Sequence, residues 1–361
     1  MKPLSHPSDN LLLAPGADSL VYIPPGPPIL IVAVDTEAEH RWGAPRQRTD
    51  NGVRNMREQV LAQRIFDKFN VRPTYLVDYE IATQADGYGP LRELTGSQNC
   101  QIGAHLHTWE SPPFEEELSE VTTYAHNLPA SLQKEKLYRL TEAIASNIGV
   151  RPVVYRAGRY GIGEEMAEIL RSLGYEIDMS VRPGINQTRQ HGPDFRRAVN
   201  RPYWFGPDHE LLEIPLTVGF CGLFSSPMLP RVLMGDFYDL LSRPGLRLVH
   251  GPGILSRLRL LDRISLTPEG IALEDLKRLT RLLVTRGNRV FSFNYHSSSL
   301  LPGVAPYVRT TGDLDRFLGK IESYLEYFFG EVRGITMTPS QFRALVGGPR
   351  HAAARAVSVV A

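Results

Sequence analysis

The segment I-G-A-H-L-H-T-W, residues 102–109, places two imidazoles one residue apart inside an apolar run. In an extended strand, side chains at i and i+2 share a face, so His105 and His107 are expected to point the same way. A second pair with this spacing, Asp35 and Glu37, ends the run I-L-I-V-A-V-D-T-E at 29–37. Two imidazoles and a carboxylate make a three-ligand set for zinc or another divalent ion, with positions left open for water and a substrate. Each pair also has a plainer reading. A strand histidine is more often a satisfied or surface side chain than a ligand, and an acidic pair at a strand end can be a helix cap and a solvated acid.

Two further clusters fall where apolar runs give way to loops, Y-R-A-G-R-Y-G at 155–161 and F-N-Y-H-S-S-S-L at 293–300. Arg156 follows its apolar run directly, a place from which a guanidinium can orient a buried carboxylate; Arg156 and Arg159 could equally be surface charges. His296 ends its run as Asp35 does. An imidazole titrating near neutrality is the usual proton donor in hydrolysis, and Asp178, at another strand end, reads as the group that would hold its tautomer or raise its pKa.

These residues need elements that bring them together. Apolar, β-branched runs at 29–34, 73–77, 101–107, 152–156, 175–178, 212–216 and 289–295 read as strands. Helical patterns lie between them at 55–69, 131–147, 164–173, closed by Gly174, and 273–286. Alternating strands and helices imply parallel strands with crossover helices. About seven strands with polar residues at their ends favour a barrel over an open sheet, because the C-terminal strand ends of a parallel barrel all face one way. Residues 1–28, ending in I-P-P-G-P-P, read as an extended arm, 29–346 as one barrel domain and 347–361 as a frayed tail. Segments 109–128 and 185–208 read as long loops, and 251–270 is ambiguous.

Composition narrows the function. Charges nearly cancel at +1, with no basic stripe, which argues against nucleic acid or anionic membrane as the main partner. Only Cys100 and Cys221 occur, too few for a cysteine zinc site or a disulfide framework. The apolar cluster at 11–14 is too short for a signal peptide, and no run approaches the ~20 apolar residues of a membrane span, so a cytoplasmic protein is expected.

At these residues the sequence resembles the polysaccharide deacetylase family, with its NodB homology domain, also called carbohydrate esterase family four. Five motifs match in order across residues 29–346: D-T-E, G-A-H-L-H, Y-R-A-G-R-Y-G, G-Y-E-I-D-M-S and F-N-Y-H. The resemblance implies a distorted (β/α)7 barrel that binds one divalent ion, zinc first with nickel or cobalt as alternatives, and removes an N-acetyl group from an amino sugar or glycan. It further implies Asp35 as general base, Glu37, His105 and His107 as metal ligands, and Arg156 as the group orienting Asp35. The backbone around Tyr160 would hold the oxyanion, and His296, tuned by Asp178, would be the general acid. The pattern departs from the family's common form in three places: Glu37 stands for a second aspartate, the histidines are two apart rather than four, and A-G-R fills the gap between Arg156 and Tyr160. The tight H-x-H, P-P-F at 112–114 and H-S-S-S-L at 296–300 look most like the WalW-like branch. A C–N amidase on a non-sugar or ring substrate, with a smaller and more apolar pocket, and an inactive glycan-binding protein are the competing readings.

Overall fold

The computed structural model describes residues 12–40, 42, 45–48, 51–222, 231–241 and 261–348. Strand β1 (Ile29–Thr36) is buried along its whole length, as a two-faced run in a parallel sheet requires. Its alternate residues serve two cores. Ile29, Ile31 and Ala33 join a cluster with Val154, Ile177, Leu212 and Val290, whereas Leu30, Val32 and Val34 pack with helix residues such as Phe66, Phe317 and Ile321. The first cluster is the barrel interior and the second the layer between strands and helices. Asp35 continues the inward register.

The strands that follow are β2 (Thr74–Val77), β3 (Gln101–Leu106), β4 (Val154–Ala157), β5 (Ile177–Asp178), β6 (Tyr203–Phe205), β7 (Leu211–Glu213), β8 (Val218–Cys221), β9 (Asp262–Ser265), β10 (Val290–His296) and β11 (Ile335–Thr336). The main sheet runs β10-β1-β2-β3-β4-β5-β7-β6. Every neighbour is parallel from β10 to β7, and β6 pairs antiparallel to β7. The antiparallel pair β8–β9 spans the remaining gap. Leu216 N–H donates to the Val181 carbonyl at 2.9 Å, Leu266 N–H to Thr217 at 2.9 Å and Asn294 N–H to Leu266 at 3.2 Å. The parallel sheet therefore curls round into a distorted barrel, closed by single hydrogen bonds rather than a continuous ladder.

The described α-helices are α1 (Gln59–Lys68), α2 (Tyr79–Thr83), α3 (Ala85–Gly96), α4 (Ala130–Asn147), α5 (Met166–Leu173), α6 (Arg231–Leu241), α7 (Leu273–Thr285), α8 (Thr311–Gly330) and α9 (Pro339–Val346). Gly174, at φ 81°, ends α5 in the left-handed conformation that glycine accepts most readily. Helix α3 escapes a pattern reading because A-D-G-Y-G-P-L-R-E-L-T-G holds three glycines and Pro90, a composition that opposes helix on propensity; burial of Leu91 helps to override it. The segment 185–208, expected as loop throughout, contains β6, whose Tyr203, Trp204 and Phe205 are all buried. Of the ambiguous segment, 262–265 forms β9, and 251–260 lies outside the described residues. So do 1–11 of the expected arm and 349–361 of the expected tail. The arm packs more than its composition suggests, because Val21 joins the barrel-interior cluster with Ile29 and Phe342. No described helix is long and apolar enough to cross a membrane.

Candidate active site

Asp35 and His296 are register partners on β1 and β10, at the C-terminal ends of adjacent parallel strands. His105 faces Arg156 in the same way on β3 and β4. Inward-pointing residues of four strands thus converge at one barrel mouth, where Asp35, Glu37, His105, His107, Tyr160 and His296 line a cleft of about 370 Å³. That volume suits a small ligand or part of a polymer.

Asp35 is 1% exposed and ion-paired to the Nη1 of Arg156, which is itself fully buried. Arg156 is fixed by a second bond from Nε to the Met179 carbonyl at 2.8 Å. Burial alone would raise the Asp35 carboxyl, but Arg156, His105 and His296 more than offset it, leaving the group below its ordinary range. Asp35 is therefore a carboxylate at neutral pH, with Oδ2 3.6 Å from the Nε2 of His296.

Both strand histidines have their Nδ1 atoms engaged. His105 Nδ1 lies 3.2 Å from the Arg156 carbonyl, which can only accept, so Nδ1 carries the proton and Nε2 keeps its lone pair. Burial, reinforced by His107, pushes its pKa down to about 3, so the ring is neutral. His107 Nδ1 bonds Glu110 Oε2 at 2.9 Å, and its Nε2 sits 3.4 Å from Glu37 Oε2. Glu37 is in turn held by its backbone, which donates to Ser297 Oγ at 3.0 Å and accepts from Asn55 at 2.9 Å. The donor atoms of Glu37, His105 and His107 all lie within 4.8 Å of one another. Two imidazoles oriented by outer partners, together with one carboxylate, fit a divalent ion.

A second cluster shares His107. His40, Asp78, His107 and Glu110 also bring donor atoms within 4.8 Å. Their carboxylates are already engaged: Asp78 accepts from the N–H of Ala38 at 2.7 Å and of Ile81 at 2.8 Å, and Glu110 reaches His40 Nε2 at 2.9 Å as well as His107. Burial and the nearby Glu110 push the Asp78 carboxyl well above its usual range, against the two backbone N–H groups it accepts. This cluster is better described as the support of His107. Trp109 stacks on that ring at 4.3 Å, and a Cβ at Gly158 would run into both the His107 ring and the Leu106 carbonyl. The small residue of Y-R-A-G-R-Y-G therefore lets β4 close against the histidine strand.

Asp178 departs from the role expected of it. It does not meet His296. Ile177 and Met179 point into the barrel, so Asp178 faces outward. There Ser180 Oγ donates to it at 2.6 Å, and it lies beside Glu213. The partner of His296 is Glu269, whose Oε2 lies 2.8 Å from Nδ1 and whose Oε1 takes the His296 N–H at 3.0 Å and the Ser299 hydroxyl at 2.5 Å. Burial alone would lower the His296 pKa, yet Glu269, Glu37 and Asp35 push it up to about 10, so the imidazolium persists. Glu269 was missed because it falls in the ambiguous segment just after β9; its only sequence signal is the acid of S-L-T-P-E-G at 265–270. Glu110, three residues after His107, was equally visible but carried no partner in a one-dimensional reading. Tyr160 does reach the cleft, as the second of two consecutive positive-φ residues, Arg159 at φ 53° and Tyr160 at φ 62°.

No family model and no curated protein matches this chain. Among solved structures, a Mycobacterium smegmatis protein assigned as a polysaccharide deacetylase aligns with 84% of this chain and 87% of its own at 16% identity and a TM-score of 0.47. A 4-alpha-glucanotransferase from Thermococcus litoralis covers 88% of this chain and 40% of its own, at 12% identity and TM-score 0.45. Peptidoglycan deacetylase PdaC from Bacillus subtilis covers 93% and 98%, at 11% identity and TM-score 0.38. These are distant likenesses of fold to a group of structures that includes polysaccharide and peptidoglycan deacetylases.

Proposed function

We propose that the protein is a metal-dependent hydrolase that removes an N-acetyl group from an amino sugar or glycan and releases acetate. The observation that carries this reading is the meeting, in one cleft, of a carboxylate kept ionised, an imidazolium kept protonated and the Glu37–His105–His107 set. Glu37, His105 and His107 would hold a divalent ion, zinc or else nickel or cobalt, which would supply Lewis acidity and ease deprotonation of water near neutral pH.

The remaining work falls to the chain's own groups. Asp35, held by Arg156, takes the proton from the attacking water. His296 protonates the departing nitrogen, without which the amine is too poor a leaving group. Environments that push two titratable groups apart, one down and one up, are the usual sign of paired base and acid roles. Backbone donors at Tyr160 stabilise the developing oxyanion. The competing amidase reading expects a smaller, more apolar pocket, whereas this cleft sets Arg46, Arg159, Gln187 and Gln190 beside the rings of Trp42 and Trp109, a mixture that suits a hydroxyl-rich substrate.

Glu269→Gln tests the acid. Because Glu269 holds the imidazolium up, its loss should lower the His296 pKa and move the alkaline limb of kcat/KM to lower pH, by about one unit or more. An unmoved limb would remove His296 from the proposed role. The reaction itself is tested by acetate release from N-acetylated amino sugars and oligosaccharides: it should be abolished by a chelator and restored by a divalent ion. Release that is absent with every such substrate under metal-replete conditions would contradict the proposal.

A further inference from the structure

Four arginines line the cleft, Arg46, Arg159, Arg182 and Arg263, against three acids, Asp35, Glu37 and Glu269. The acids are all engaged on the floor of the site: Asp35 faces Arg156, Glu269 faces His296, and Glu37 faces His107. Two arginines are also matched, Arg159 by Glu120 at 2.8 Å and Arg263 by Asp239 at 3.0 Å. Among the described residues, no carboxylate pairs with Arg182 or Arg46. Arg182 is the sharper case. Its guanidinium lies 4.4 Å over the Tyr160 ring, and its Nε is buried with no hydrogen-bond partner. Burial disfavours its charge, although a guanidinium does not give up its proton in a protein. A half-buried cation with no paired carboxylate among the described residues is an incomplete interaction. Gln187, only 9% exposed, lines the same cleft with its Oε1 unpartnered, an acceptor for a hydroxyl or an N–H.

We propose that this cleft binds an acidic substrate, an amino sugar carrying a carboxylate or phosphate that Arg182 receives. Guanidinium pairs with both groups through two parallel N–H bonds. A single cleft of about 370 Å³ holds Arg182 and Asp35 together, so the anion and the reacting amide sit on the same small region of one molecule. Arg46, whose guanidinium lies 5.1 Å from the Trp109 ring centre, adds a second positive charge on the same lining. The sugar part of this inference rests on the deacetylase reading; the charge part does not.

Calorimetric titration of the full chain with amino sugars that cannot be turned over separates the two. Glucosamine, glucosamine 1-phosphate and muramic acid share an amino sugar and differ in the acidic group. The phosphate or the carboxylate probe should bind about tenfold or more tighter than glucosamine, and the tighter of the two identifies the group. Arg182→Gln should bring the affinity for the charged probe down to that for glucosamine, and Arg182→Lys, which keeps the charge and reports on folding, should retain part of the preference. Equal affinity for all three probes, no binding of either charged probe, or an undiminished preference in folded Arg182→Gln would overturn the inference. Charge-selective binding without acetate release from the N-acetylated counterparts would sink the deacetylase reading and leave this one standing.

Discussion

His105→Ala should strip the divalent ion from the protein, and His40→Ala should leave it bound. The contrast follows from the two clusters that share His107. His105 belongs only to the set opening on the cleft, where its neutral ring offers Nε2 because Nδ1 is committed to the Arg156 carbonyl. His40 belongs only to the support behind His107, where Glu110 bridges the two rings. Losing one of three protein ligands should lower affinity by more than the ~10–100-fold that loss of an outer partner costs. His40→Ala falls in that milder class. Metal content after dialysis, read by elemental analysis alongside circular dichroism, decides it; retention of stoichiometric metal by folded His105→Ala would place the ion elsewhere.

Asp35→Asn should abolish turnover while sparing the metal. The amide keeps the shape of the carboxylate but cannot take a proton, and removing a positioned general base costs about 10²–10⁴ in rate. A stability penalty should accompany it. Arg156 is fully buried and Asp35 is its ion-pair partner, and breaking a buried pair by removing one member costs about 3–5 kcal/mol. The variant should therefore melt at a lower temperature, bind the ion at wild-type stoichiometry and show kcat reduced by at least about 10²-fold. A variant that retains more than a tenth of wild-type kcat would remove Asp35 from the role of base.

Much of this arrangement was legible in the chain. The spacing of two within 35–37 and 105–107 gives the shared face, and the single-residue register of parallel strands then sets Asp35 beside His296 and His105 beside Arg156. Asp178 shows where such reading ends. Its position at a strand end was read correctly, but on a strand of two residues the inward face belongs to whichever neighbours are apolar, here Ile177 and Met179. The acid that reaches His296 comes from the chain returning after β9, and nothing local in 265–270 states that Glu269 will close on a strand end 27 residues later. The same holds for Glu110, whose meaning depends on His40 arriving from β1. Pairs set by strand register are visible in sequence; pairs set by barrel closure and loop return are not.

The most direct measurement is anomalous diffraction from a crystal of the full chain grown or soaked with zinc, nickel or cobalt. A single ion is expected at the cleft within about 2.0–2.2 Å of a Glu37 oxygen and of the Nε2 atoms of His105 and His107. An ion seated instead among His40, Asp78 and Glu110, or no ion at full occupancy under saturating metal, would contradict it.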